Sequence, residues 1–190
     1  MARPRGFDED RAIEAAMRAF WGAGYEGTST QDLCVATGLG RSSVYNTFTS
    51  KRDLFARALR HYMADRNASI AELLGGDLPA RERIRAMLWG AVDPPPGEPA
   101  GCLVVNSMVE VAPHDAELAG VLSADYDRRL KMLVAVLEEG MRAGEVDPGK
   151  DATALAHFVI ATIGGLRVAG RGGADRATLE AIATTAMTAI

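Results

Sequence analysis

Thr28-Ser29-Thr30-Gln31-Asp32-Leu33-Cys34-Val35-Ala36-Thr37-Gly38-Leu39-Gly40-Arg41-Ser42-Ser43-Val44-Tyr45-Asn46-Thr47-Phe48-Thr49-Ser50-Lys51-Arg52-Asp53-Leu54-Phe55 is the stretch that decides the fold. Ser29 with Asp32 three residues on is a capping box, so a short helix is predicted over 30–37, burying Leu33 and Ala36. Gly38-Leu39-Gly40 then forces a turn, because glycine tolerates positive φ cheaply. A second short helix follows over 41–48, with Val44 and Phe48 on one face. Ser50 and Asp53 form another capping box and open a longer helix through Leu54, Phe55, Ala58, Leu59 and Tyr62 toward Leu74, stopped by Gly75-Gly76.

Upstream, Ile13, Ala16, Met17, Phe20 and Trp21 recur at the spacing of one helix face. Asp8, Glu9 and Asp10 suit its first turn, and Gly22 and Gly24 mark its end. Three helices thus fall within the first 50 residues, the last two short and joined by a tight glycine turn, which is a helix-turn-helix arrangement. Downstream the chain also reads as helix. Pro79 fits a first helical turn ahead of Ile84, Leu88 and Trp89, and 93–99 is a proline-rich loop. A helix starts near Gly101-Cys102 and ends or bends at Pro113; a long one follows over 115–143, and two more over 151–168 and 176–190. The expected fold is all-α: residues 1–50 form a helix-turn-helix domain, and 51–190 form a helical effector-binding and dimerisation domain.

The chain has 190 residues and an ordinary globular composition, 48% hydrophobic and 24% charged, with aromatics at only 6%. Its net charge of -4 argues against nucleic acid, but the charge is uneven. Residues 1–60 hold nine Lys/Arg against seven Asp/Glu; residues 61–190 hold twelve against eighteen. A basic head on an acidic body fits DNA binding at one end. Two cysteines make no disulfide framework, no signal-peptide core is legible, and no stretch reads as long and apolar enough to span a bilayer. A cytoplasmic protein with reduced thiols and no membrane partner is expected.

A recognition helix needs an apolar inner face, short polar side chains for base edges, and flanking groups for phosphates. Residues 41–48 have that mix. Arg41 suits guanine or a phosphate, Asn46 suits adenine, and Ser42 and Ser43 lie at the helix start. Lys51 opens the following helix, where side chain and free N–H groups suit a phosphate; Thr30 and Gln31 start the preceding helix in the same way. By periodicity alone, a helical hairpin with a solvated polar face fits as well.

The run from Thr28 to Leu33, and from Gly38 to Phe55 with its Val-Tyr-x-x-Phe-x-Ser-Lys-x-x-Leu-Phe core, resembles the TetR family of bacterial regulators over about residues 8–60. The resemblance implies an Ω-like all-helical homodimer with N-terminal DNA-binding domains, dimerised through the last two long helices and enclosing an effector pocket in each C-terminal domain. It implies that Thr30, Gln31, Arg41, Ser42, Ser43, Tyr45, Asn46 and Lys51 touch DNA, with Tyr45 and Lys51 at phosphate positions and Arg41, Ser42, Ser43 and Asn46 as base readers. Gly40 departs from the pattern, standing where many members have a Ser or Thr cap. Arg3 and Arg5 precede the first helix as either a DNA-reaching arm or a solubilising tail.

The C-terminal half is less explicit. Met87, Trp89, Met108, Met132, Met141, Phe158 and Ile163 are pocket candidates, although such spacing more often serves an ordinary core. Cys102 stands at a helix N-terminus, where a thiol gains reactivity, and the stretch 101–106 resembles a TetR subgroup that includes electrophile sensors. Cys34 reads as buried filler. His61, His114 and His157 lack metal-ligand spacing, and neither a metal nor a cofactor is expected. The dimer helices offer Leu155, Phe158, Val159, Thr162, Ile163 and Leu166, then Leu179, Ile182, Ala183 and Met187, with Ala156, Ala161, Gly164 and Gly165 allowing close approach. The expected function is a non-enzymatic repressor that binds a near-palindromic double-stranded DNA operator as a homodimer and is released by a small-molecule effector. The alternatives are electrophile or redox sensing through Cys102, a thiol enzyme lacking an identifiable base, and a protein-binding adaptor.

Overall fold

The computed structural model describes residues 9–190, and among these it has only helices. In chain order they are α1 (Glu9–Ala23), α2 (Thr30–Thr37), α3 (Arg41–Thr47), α4 (Lys51–Leu74), α5 (Ala80–Val92), α6 (Leu103–Glu110), a 3-10 turn (Ala112–His114), α7 (Ala116–Ala143), α8 (Ala152–Arg171) and α9 (Arg176–Thr188). Arg3, Arg5 and Asp8 lie outside the described residues.

Each boundary has a local cause. Ser29 and Asp32 form the reciprocal capping box at α2, whose other end closes on Gly38 at φ 68°. The second expected box is only half made: Ser50 Oγ accepts from the Asp53 N–H at 3.1 Å. The Asp53 carboxylate instead pairs with Arg57 one turn on, at 3.2 Å, and accepts from the Thr49 N–H at 3.3 Å. Pro79 sits just before α5 as its N-cap, one position earlier than expected. Asp115 caps α7 through the Leu118 N–H, and Gly144 ends it at φ 75°.

Two apolar cores run through the molecule. The first joins α1, α2, α3 and the N-terminal half of α4 to the starts of α6 and α7, with Phe20, Leu33, Phe48, Phe55 and Leu59 essentially closed to solvent. Phe20 meets Phe55 edge to face at 5.0 Å. The second joins α5, α7, α8 and α9 around Ile84, Leu88, Leu133, Leu137 and Val159. Ala36, expected inside, is exposed; Leu39, returning from the turn, packs against the first core instead. Cys34 is likewise half-buried at that edge rather than enclosed.

α8 continues to Arg171, three residues past the expected end. It is also long and apolar enough to cross a bilayer, contrary to the sequence reading, with 17% of its most apolar window buried within the chain. Its apolar residues divide between two faces. Ala156, Val159 and Leu166 enter the second core, as do Leu179, Ala183 and Met187 of α9. Phe158, Gly165, Val168 and Ile182 face outward.

Candidate nucleic-acid interface and effector cavity

α3 is anchored by Val44, 3% exposed, and by Phe48 just past its end, 0% exposed. Anchoring by these two fixes the rest of the helix outward. Arg41, Ser42, Tyr45 and Asn46 are exposed, and Ser43 and Thr47 half-buried. Gly40 caps α3 without a side-chain bond, as the departure at that position implies. Thr30 Oγ1 lies 3.1 Å from Tyr45 Oη, so the start of α2 and the face of α3 form one polar surface with exposed Gln31 beside them. Arg41 reaches over the Tyr45 ring at 6.0 Å, and Lys51 Nζ stands 4.5 Å from the centre of the Tyr25 ring. Among the described residues neither cation has a carboxylate partner. Thr30, Arg41 and Tyr45 are thus brought together, while Gln31, Ser42, Ser43, Asn46 and Lys51 lie on the same three helices without a direct side-chain bond to them among the described residues.

Neighbouring arginines are committed elsewhere. Arg57 pairs with Glu9 at 2.7 Å and covers the Phe48 ring. Arg52, next to Lys51, turns to α7, where it donates to Asp115 at 2.6 Å and Glu117 at 2.8 Å. The Arg52 guanidinium, with the Leu118 N–H, holds the Asp115 carboxyl down at about 2 and also depresses Glu117.

A cavity of about 530 Å³ lies between α4, α5, α6, α7 and α8, within the range of roughly 300–1,000 Å³ that small-molecule sites occupy. Of the pocket candidates, Met87, Met108 and Ile163 line it; Trp89, Met132, Met141 and Phe158 do not, being turned to the second core or outward by helical phase. Cys102 lines it from the N-cap position of α6 and accepts from the Tyr62 hydroxyl at 3.5 Å. Burial pushes the Tyr62 phenol well above its ordinary range, so it stays a donor at neutral pH. Asp125 and Arg129 pair at 2.7 Å in the wall, with Asn67 donating to Asp125 at 2.6 Å. His61 has two carboxylate neighbours that its spacing did not reveal, Glu14 at 3.1 Å across helices and Asp65 at 3.6 Å; Arg18 braces Glu14.

Two side chains that the sequence reading passed over join the cavity walls to the head. Glu110, two residues beyond cavity-lining Met108, accepts from the N–H groups of Tyr25 at 2.9 Å and Glu26 at 2.7 Å. Arg171, one turn beyond cavity-lining Arg167, donates to the carbonyls of Trp21 at 3.1 Å and Gly22 at 2.9 Å, satisfying open groups at the end of α1. Both grip residues 21–26, the corner leading into α2. Gly24 makes the first grip possible: its φ is +83° and an added Cβ would stand 2.9 Å from the Glu110 carboxylate. The contacts join residues 85 and 150 positions apart, so no local pattern announces them.

The tetR family of bacterial regulatory proteins matches residues 12–58, and the C-terminal region of BetI-type transcriptional repressors matches residues 80–190. The chain is 33% identical to the HTH-type transcriptional repressor ComR of Escherichia coli K12, over 97% of this chain and 90% of that protein. It is 34% identical to the uncharacterized HTH-type regulator YezE of Bacillus subtilis, over 84% of each. Among solved structures it is similar to a cysteine mutant of the TetR family regulator CifR bound to 26-bp double-strand operator DNA, with 31% identity, TM-score 0.87 and 99% of both chains covered. This chain belongs to the TetR family of DNA-binding transcriptional repressors, which are regulators and not enzymes.

Proposed function

We propose that the protein is a homodimeric repressor that reads a near-palindromic operator and is released when a small molecule fills the cavity between α4 and α8. The observation that carries this reading is the pair of grips from cavity-lining α6 and α8 onto the corner at residues 21–26. A ligand that favours a shifted α6 or α8 moves the corner through Glu110 and Arg171, and with it α2 and α3. DNA affinity falls by the ligand's differential affinity for the two states. Residues 1–50 act as the DNA-binding unit and 51–190 as the effector and dimerisation unit, with α4 shared between their cores.

Tyr45 and Lys51 hold phosphates, with Thr30 and Gln31 beside them; Arg41, Ser42, Ser43 and Asn46 read bases. A second copy of the chain covers the outward face of α8 and α9, where Phe158 is 41%, Val168 56% and Ile182 38% exposed. Two α3 helices then enter successive major grooves of a site in cytoplasmic DNA. Selection from a random duplex pool at near-physiological salt tests this: the expected product is a near-palindromic site, and a folded dimer that selects no preferred sequence refutes it.

A second reading is favoured by the position of Cys102 in the cavity wall: the trigger is covalent, an electrophile or oxidant acting on that thiol. Treatment with an alkylating agent would then release operator from the wild type and not from Cys102→Ser. Equal release from both would exclude Cys102 as the sensor.

A further inference from the structure

We propose that the effector is a monocarboxylate with an apolar body, its carboxylate held by Arg167. This deepens the ligand-released reading above and rests on it. The cavity wall carries five charged side chains, and four are already neutralised. Arg66 pairs with Glu98 at 2.5 Å and lies against the Trp21 and Tyr62 rings. Asp93 is held by Arg176 at 2.6 Å, and Asp125 pairs with Arg129. Arg167 alone has no carboxylate partner among the described residues; its recorded bond is from Nη2 to the Gly90 carbonyl at 2.9 Å. A guanidinium has five N–H donors in a planar fork, so most of this one's capacity is uncommitted. That fork matches a carboxylate.

The remaining wall suits a hydrocarbon body. Ile70, Leu73, Met87, Val105, Met108 and Ile163 supply apolar surface, and the two methionines adapt to irregular shapes. Tyr62 stands in the same wall, its hydroxyl already donating to Cys102 Sγ at 3.5 Å, which leaves Arg167 as the free donor group. The position of Arg167 also suits a signal. Arg171 lies one helical turn further along α8 and grips the end of α1, so a carboxylate that draws Arg167 away from Gly90 acts on the helix that holds the head.

The test titrates the purified dimer with decanoate and with decanol, which share a chain and differ in charge. Binding is read by calorimetry, and release is read on the selected operator. Decanoate is expected to bind about tenfold or more tighter than decanol and to release the operator. Arg167→Gln keeps a polar side chain but loses the charge, and should abolish the preference while helicity and operator binding persist. Arg167→Lys should retain part of it. Equal binding of the two probes by the wild type overturns the proposal, as does a preference that survives in folded Arg167→Gln. Binding of neither probe by a protein that still holds its operator also overturns it and leaves DNA recognition intact. Failure to select any operator strikes the underlying reading instead.

Discussion

Asn46 on α3 and Lys51 at the start of α4 differ in what they would offer DNA. Asn46 is exposed on α3, with an amide that can donate to and accept from one adenine edge. Asn46→Ala should relax preference at one operator position by about 1–3 kcal/mol, measured by competition among single-base operator variants; an unchanged preference removes its base-reading role. Lys51 has only a point charge, poised over the Tyr25 ring at 4.5 Å. Lys51→Ala should weaken every duplex alike and lower the salt slope of binding by about 1. Tyr45→Ala should also act without regard to sequence. The outward placement of Arg41, Ser42, Tyr45 and Asn46 was legible in the sequence because a short helix with Val44 and Phe48 inward leaves few residues for the outside. The bond between Thr30 and Tyr45 was not, since it depends on the angle at which α2 meets α3.

Among the elements, α6 and α8 have the plainest double duty. Each contributes to the cavity wall and then extends a charged side chain to the corner before α2. Glu110→Ala removes the acceptor for two N–H groups and should cut the ligand's effect on operator Kd, a coupling that typically amounts to about 1–3 kcal/mol. Measuring that Kd with and without ligand, in wild type and variant, gives the coupling directly; an unchanged value excludes the α6 route. The Arg52 link between α4 and α7 has a pH signature. Asp115 is held at about 2 in the folded chain, below its ordinary 3.8. A depressed carboxyl stabilises the fold fully above its unfolded value and loses that contribution as pH falls through the folded one. The stability difference between wild type and Asp115→Asn in urea should therefore be full at neutral pH and shrink between about pH 4 and about pH 2. Asparagine preserves the α7 cap, so the variant isolates the ion pair.

On the scale of the whole molecule, the proposed dimer rests on the outward strip on α8 and α9. A helix apolar enough for a bilayer, yet only 17% buried over its most apolar window within one chain, needs a cover. Ile182→Glu with Phe158→Glu should convert a dimer to a monomer by sedimentation and sharply reduce operator affinity, because one half-site forfeits the second set of contacts. A double variant that stays dimeric would move the interface elsewhere. Phe20→Ala reports on the head core instead: its loss from a fully buried edge-to-face pair with Phe55 should cost about 3–5 kcal/mol and leave the oligomeric state unchanged.

Local chemistry in the sequence determined the helices, their ends and the polar face of α3. Capping pairs, glycine turns and helical periodicity act over a few residues, and each can be read where it stands. Its errors were also local, where one nearby residue competed with another for the same role. Ala36 is exposed because Leu39 packs against the core after the turn, and the Asp53 carboxylate left its capping box for Arg57. Only the tertiary structure decided which face of α8 meets the core, which methionines line the cavity, and that Glu110 and Arg171 meet at one corner. Those contacts join residues far apart in sequence, and their geometry comes from how whole helices pack, which no short pattern encodes.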